Sequence, residues 1–326
     1  MRGRPLRVLV TLLASASALR GSGDPASRQP RKALVGTSRP IEVEPECRKL
    51  IPPGFRAIWI RDSQVGPMRI VVRESFRMDI ISRFLTNKGF WEIKHPRELA
   101  ELGKTQLPEN GTFVDIGANL GWYSILFAKI GYKVIAIEPM RLNRDAIEAT
   151  LCLNPDIRDR VKLMPVALVA PEDRNRQCVL FATKTNRGNG ILTCAADRGD
   201  LPCNATEGRR DGSICEVVRS LTLDQVLKES QIASVDVAKM DVEGFECNVM
   251  RGGQSLFDEF HVKILQAETK LGFVADCFAK EARDHGYRIG TDLGQDDNRV
   301  MSALGRVGEE EEAPSRTLVT LTKADA

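Results

Sequence analysis

The chain lacks a strong charge of either sign: 47 Lys and Arg stand against 44 Asp and Glu, a formal net charge of +3 over 326 residues. Part of that small excess sits in the N-terminal segment, and the body of the chain has no basic patch with interleaved aromatics. No nucleic-acid partner is expected. Histidine is scarce, with three residues, and His95, directly before Pro96, reads as a turn residue rather than a proton carrier. No C-x-x-C pair occurs, and Cys178, Cys194, Cys203 and Cys215 lack the spacing of a tetrahedral zinc site. The apolar run Val8 to Leu13 is too short for a stable membrane anchor.

What is present begins with a basic start (Arg2, Arg4, Arg7), that short apolar run, and small residues at A-x-A spacing from Ala14 to Ala18. Residues 1–21 read as a secretory signal peptide. The alternative is an organelle transit peptide, since Arg20, Arg28, Arg31, Lys32 and Arg39 follow with only Asp24 opposing them. Residues 22–50 read as a flexible linker, 51–105 as a small N-terminal extension, and 106–326 as one α/β catalytic domain. In the extension, Phe55 to Ile60 and Arg69 to Val72 read as two strands around Gly66-Pro67, followed by a helix from Phe76 to Leu85.

The organising stretch is Gly111 to Pro139, GTFVDIGANLGWYSILFAKIGYKVIAIEP. An apolar, β-branched run (Thr112 to Ile116) breaks into a glycine loop, and a helical pattern then carries Trp122, Ile125, Leu126 and Ile130 on one side. A second strand, Lys133 to Ile137, ends on Glu138-Pro139. In such a β-α-β unit the strand ends and the helix start share the ligand-bearing edge of a parallel sheet. Glu138 is positioned to accept hydrogen bonds from both hydroxyls of a ribose, while Gly117, Ala118, Asn119 and Gly121 let a ligand approach the backbone. The loop lacks the third glycine of dinucleotide folds and begins with an acid. Asp115 would repel a pyrophosphate, but suits the ammonium of an amino-acid tail, directly or through water; that favours S-adenosyl-L-methionine over NAD.

The segment Val114 to Ser124, VDIGANLGWYS, resembles the first motif of FkbM-type S-adenosylmethionine-dependent methyltransferases. Ala238 to Glu246, AKMDVEGFE, is similar to that family's K-x-D-x-E-G-x-E segment, and Leu221 to Asp224 resembles the T-L-D that introduces it. The three occur in the family's order. The resemblance implies a Rossmann-like, seven-stranded class I methyltransferase sheet with a reversed final strand, and methyl transfer to a hydroxyl oxygen of a glycan or small metabolite. The family's histidine after the strand that ends on Glu268 is absent, and Lys270 stands two residues on.

Downstream, Asn143 to Leu153 reads as a helix and Val161 to Val169 as a third strand bordering the adenine, with Ala167 small enough to touch the ring. Gln177 to Val218 reads as a Cys- and Gly-rich insertion. Disulfides suit its four cysteines in a secreted protein, with three pairings possible; in a cytosolic protein they would be ordinary thiols. Asn204-Ala205-Thr206 and Asn110-Gly111-Thr112 are glycosylation sequons, the second abutting the first strand. Leu221 to Lys228 is a short helix, and Val235 to Met240 a strand carrying Lys239, Asp241 and Glu243 towards one side if it stays extended. Either Lys239 simply pairs with these acids, or Asp241 or Glu243 takes a proton from an acceptor hydroxyl while Lys239 keeps it ionised. Asp241, Glu243 and Glu268 could gather oxygen ligands, but no metal-binding spacing supports this and no metal is assigned. Val262 to Ala267, Tyr287 to Ile289 and Thr317 to Thr322 read as strands, Phe273 to His285 as a helix, and Glu309 to Glu312 as a solvated acidic loop. Two other functions remain open at this level: a nicotinamide-dependent oxidoreductase on the same fold, and a non-catalytic luminal binding protein.

Overall fold

The structure, a computed structural model, describes residues 41–61, 63–74, 79–174, 176–183, 190–195, 213–290, 298–303 and 316–320. The leader, most of the linker, the Asn204 sequon, Cys203 and the acidic run at Glu309 lie outside them. Among the described residues no helix is long and apolar enough to cross a membrane.

Residues 45–48 form a single helical turn, α1 (Pro45–Arg48). The antiparallel hairpin β1 (Phe55–Ile60) and β2 (Met68–Arg73) follows, paired from Phe55↔Arg73 to Ile60↔Met68. Helix α2 (Ile80–Lys88) is capped by Asp79, whose side chain accepts from Ser82 N, and closes on Gly89 in the left-handed region. After α3 (Arg97–Leu102) comes the unit read from sequence: β3 (Thr112–Ile116), α4 (Trp122–Lys129) and β4 (Lys133–Ile137), then α5 (Arg141–Leu153) and β5 (Val161–Met164).

The expected single strand from Val161 to Val169 is two. Pro165 has no N–H to give the sheet, and the chain leaves it after Met164. Then β6 (Ala167–Leu168) pairs in parallel with β10 (Ser220–Leu221) in a separate two-stranded sheet. Between them the insertion is an ordered antiparallel sheet of β7 (Gln177–Ala182), β8 (Ile191–Ala195) and β9 (Ile214–Val218), with β7 central. Cys178 and Cys194 lie opposite each other in its register and form a disulfide; Cys215 is also disulfide-bonded. The sheet rests on Met140, which clusters with Leu180 and Ala182.

Helix α6 (Leu223–Glu229) starts on a capping box in which Thr222 and Gln225 serve each other's backbone N–H groups. Then follow β11 (Val237–Met240), α7 (Glu246–Arg251), α8 (Ser255–Asp258), β12 (Ile264–Glu268), α9 (Gly272–Asp284), β13 (Arg288–Gly290), β14 (Asn298–Ala303) and β15 (Arg316–Thr320). The main sheet runs β5-β4-β3-β11-β12, all parallel, and continues with β14 antiparallel to β12. With β15 and β13 beyond β14 it has eight strands among the described residues, where seven are expected. The reversed strand is β14, in a segment whose sequence gave no expectation of a strand.

Helix α4 is not one-sided as its apolar spacing suggested: every residue from Trp122 to Ala128 is buried. One side meets the sheet, where Phe113 and Phe127 stack 3.8 Å apart. The N-terminal extension covers another, with Trp122 Nε1 donating to Ile93 O at 3.1 Å. The extension and this side of the sheet share one apolar core. Polar residues in α5 and at its C-terminal cap fasten β2 to it: Thr150 Oγ1 accepts from Val71 N at 2.9 Å, and Asn154 bonds Arg69 N and O. The end of the span read as a linker is likewise tied down, because Cys47 in α1 is bonded to Cys152 in α5. Closing a loop of this length stabilises by up to about 5 kcal/mol. Another disulfide joins Cys247 in α7 to Cys277 in α9, and no described cysteine is free. Asn110 of the second sequon is exposed.

Candidate active site

The loop after β3 puts three residues in the left-handed region, Gly117 (φ 79°), Asn119 (φ 51°) and Gly121 (φ 78°). Gly117 and Ala118 both donate to Ile137 O at 3.0 Å, locking the loop to the end of β4. The glycines also serve close packing within the protein. A Cβ on Gly117 would sit 1.9 Å from the Asp241 carbonyl oxygen, and one on Gly121 3.1 Å from the Ile147 side chain. The tight contact at Gly117 joins the β3 loop to the β11 loop.

The two acids of the first unit are not equivalent. Glu138 lines the cleft at the sheet edge. Its Oε2 accepts from Asn119 N and its Oε1 from Met140 N, both at 2.8 Å. Burial pushes its pKa up to about 7 against the pull of these bonds. Asp115 does not reach the cleft. It is 1 % exposed, behind the loop, and its Oδ2 accepts from Ser124 N at 3.0 Å and Ser124 Oγ at 2.6 Å. It satisfies an orphan N–H in the first turn of α4. Asp115 is thus engaged by Ser124 and does not line the cleft, where the expectation was contact with a ligand's ammonium directly or through water. Burial raises its pKa, with Lys239 opposing. Ala118 and Gly121 shape the loop from behind, whereas Gly117 and Asn119 line the cleft with Glu138.

Strand β11 ends at Met240, so Lys239, Asp241 and Glu243 do not share one extended face. Lys239 stays within the sheet, 5 % exposed, with Nζ 3.0 Å from Asp241 Oδ2 and 5.5 Å from the Tyr123 ring centre. Burial alone would lower its pKa, but the carboxylates of Asp241, Asp115 and Glu92 outweigh that and hold it above its ordinary value. Asp241 and Glu243 enter the cleft, Glu243 through a left-handed backbone (φ 54°) followed by Gly244 at φ 93°. Burial, then Asp241 and Glu246, push Glu243 up to about 7. Glu268, at the tip of β12, is pushed to about 8 by burial and by Asp241, Glu243 and Glu246, with Lys270 opposing. Glu246 opens α7 and holds the turn before it, its Oε1 accepting from Val242 N at 3.0 Å and Gly244 N at 3.3 Å. Asp241, Glu246 and Glu268 each bring a carboxylate oxygen within 4.8 Å of the others.

The cleft holds about 290 Å³. Beyond β4 and β5 its walls are apolar: Ile137, Pro139, Val166, Leu168, and from the insertion Leu180 and Leu192. Beyond β11 and β12 they are Asp241, Val242, Glu243, Phe245, Glu268 and Lys270. The N-terminal extension adds Ile80, Ile81, Trp91 and Glu92. Tyr123 Oη donates to Glu92 Oε2 at 2.7 Å, and Gln266 Nε2 donates to the same hydroxyl at 3.1 Å. Sequence reasoning missed Glu92, the insertion's contribution and the part played by Glu246. Only Glu246 left a signal, as the last letter of K-x-D-x-E-G-x-E. His95 Nδ1 accepts from Arg97 N at 2.9 Å within its turn.

An adenosyl sulfonium fits these residues. A buried carboxylate at the tip of β4 is matched to a ribose, an apolar pocket beside it to a purine, and the acids across the cleft to positive charge.

The solved structures to which the chain is distantly similar include the following three. A precorrin-6y C5,15-methyltransferase from Geobacter metallireducens GS-15 is 13% identical over 58% of this chain and 67% of that one, with a TM-score of 0.32. The N-terminal domain of human METTL16 is 12% identical over 68% and 67%, with a TM-score of 0.38. The glycopeptide N-methyltransferase MtfA, complexed with S-adenosyl-L-methionine, is 14% identical over 52% of each chain, with a TM-score of 0.27. No curated protein sequence matches significantly. Residues 115–289, more than half of the chain, match the methyltransferase FkbM domain. The chain thus belongs to the FkbM methyltransferase family and is an S-adenosyl-L-methionine-dependent methyltransferase.

Proposed function

We propose that the enzyme methylates a hydroxyl oxygen of a glycan or small metabolite in the secretory pathway. The observation that carries the reading is the set of carboxylates, Asp241, Glu243 and Glu268, across the cleft from Glu138. When bound, the cofactor supplies a methyl group already activated by its positive sulfur. The protein's share of the chemistry is alignment and removal of one proton.

Glu138 anchors the ribose, with Gly117, Ala118, Asn119 and Gly121 forming the supporting loop and Asp115 holding that loop to α4. Val166, Leu168, Leu180 and Leu192 enclose the purine. Glu243 takes the acceptor proton: its pKa of about 7 is near that of an efficient general base at neutral pH. Gly117, Asn119 and Glu138 would hold the cofactor, which would supply the methyl carbon to the acceptor oxygen and keep the electron pair of the broken bond on its sulfur. Lys239 holds Asp241 in place and offsets part of the local negative charge. Residues 51–105 act as an extension that closes the acceptor side through Trp91 and Glu92. The three disulfides between described residues, with Cys215 also bonded, suit an oxidising compartment, in line with reading residues 1–21 as a secretory signal and 22–50 as a connecting segment.

The test is incubation of the full chain with methyl-labelled cofactor and a panel of hydroxylated glycans and metabolites, beside amine and carboxylate analogues. Label is expected only in hydroxyl acceptors, and transfer to amines alone would overturn the reading. Glu243→Gln is expected to lower kcat by about 10²–10⁴-fold with cofactor affinity unchanged. A variant that turns over normally would remove Glu243 from the role of base.

A further inference from the structure

We propose that Asp241, Glu246 and Glu268 bind a hard divalent cation, of the Mg²⁺, Mn²⁺ or Ca²⁺ class, at the acceptor end of the cleft. One carboxylate oxygen from each residue lies within 4.8 Å of the other two. That ceiling is about twice a Ca²⁺–oxygen distance and leaves room for the shorter contacts of Mg²⁺. The donors are all oxygen, with no histidine or thiol among them, which selects hard cations over zinc or copper.

Glu246 supplies the independent observation. It is 1 % exposed, and its two oxygens are used very differently. Oε1 accepts two backbone N–H groups, whereas Oε2 is buried and has no hydrogen-bond partner. A buried carboxylate oxygen left in this state is costly unless a cation or donor meets it. The neighbouring lysines do not fill that place: Lys239 is committed to Asp241 Oδ2, and Lys270 acts on Glu243 and Glu268. The three carboxylates come from rigid mounts, the tips of β11 and β12 and the first residue of α7. Cys247, next to Glu246, is bonded to Cys277 of α9, which holds that end of α7. Asp241 and Glu268 also line the cleft, so a cation held here keeps open positions for water or an acceptor oxygen.

The binding stands apart from the hydroxyl-transfer reading: an acceptor panel that gives no product would overturn that reading and leave this site untouched. The test is titration of Mn²⁺ into the full chain, without cofactor or acceptor, followed by loss of the free-ion paramagnetic resonance signal. Saturable binding of one Mn²⁺ per chain is expected, displaced by Mg²⁺ or Ca²⁺. Because Glu246 also supports the backbone turn before α7, the variants to use are Glu268→Gln and Asp241→Asn. Each is expected to weaken Mn²⁺ binding at least tenfold while still binding S-adenosylhomocysteine, which shows that the fold persists. Absence of saturable Mn²⁺ binding, or binding unchanged in both variants, would overturn the proposal.

Discussion

On the β4 side of the cleft, each oxygen of Glu138 meets a backbone N–H. Asp115 behind it gives one oxygen to both groups of Ser124. On the β11 and β12 side, Asp241, Glu243, Glu246 and Glu268 repel one another, and Glu246 keeps a buried oxygen with no partner. Both oxygens of Glu138 are met by backbone N–H groups before anything binds, although Asp115 Oδ1 behind it is, like Glu246 Oε2, a buried oxygen with no hydrogen-bond partner. The second side carries charge that its own backbone only partly satisfies, and so depends on what arrives. On the proposed reading, Glu138 belongs to a preformed cofactor half, and the acids of β11 and β12 to an acceptor half that its ligands complete.

The two sides of the cleft touch at Gly117. Gly117→Ala combines a left-handed backbone with a Cβ placed 1.9 Å from the Asp241 carbonyl. It is expected to cost at least about 3 kcal/mol of stability, measured by denaturant unfolding, and to displace both loops together. A variant of normal stability would mean that the two loops are not in contact.

Glu138→Ala acts within the β4 side alone. It is expected to weaken cofactor binding by about 1–3 kcal/mol in calorimetric titration, with little change in cation binding across the cleft. Equal loss on both sides would show that the halves are not separate.

The smallest effect is one of pH. Glu138 has its folded pKa raised to about 7, so the folded protein holds this proton more tightly than the unfolded chain does. Its contribution to the stability of the unliganded protein therefore declines as pH rises from about 4.5 to about 7. Cofactor affinity should run the other way. Ribose hydroxyls donate best to the ionised carboxylate, and affinity is expected to fall severalfold from pH 8 to pH 6, a trend absent in Glu138→Ala. A flat wild-type profile would remove the ribose contact from Glu138.

The first β-α-β unit was legible because its signals are local: β-branched runs, a glycine loop, and an acid at a strand tip followed by proline. The same letters did not reveal which way each acid faces. Asp115 lies inside β3 in register with Ala136, whereas Glu138 stands just past the end of β4, and Ser124, nine residues on from Asp115, engages that first acid. The strand break after Met164 was written in Pro165, but apolar residues on both sides of it masked the change of sheet. The insertion looked irregular because its order comes from antiparallel partners far apart in sequence, and the register that sets Cys178 opposite Cys194 is a tertiary fact. Glu92 and Trp91 reach the cleft only because the extension docks over α4, which no periodicity specifies. Glu246 was visible as a motif letter, while its role depends on a turn through Glu243 and Gly244 whose positive φ angles cannot be read from residue types alone.

Each of the three described disulfides joins a cysteine to the very next one along the chain: 47 with 152, 178 with 194, 247 with 277. A polypeptide emerging from its N-terminus offers each of these thiols its proper mate before any later rival exists. The covalent framework can then be laid down in the order of synthesis, with no bond needing to be broken and remade. Cys47 has the longest wait, 105 residues, or roughly 5–20 s at ordinary elongation rates, so the segment made first is the one fastened only when α5 appears.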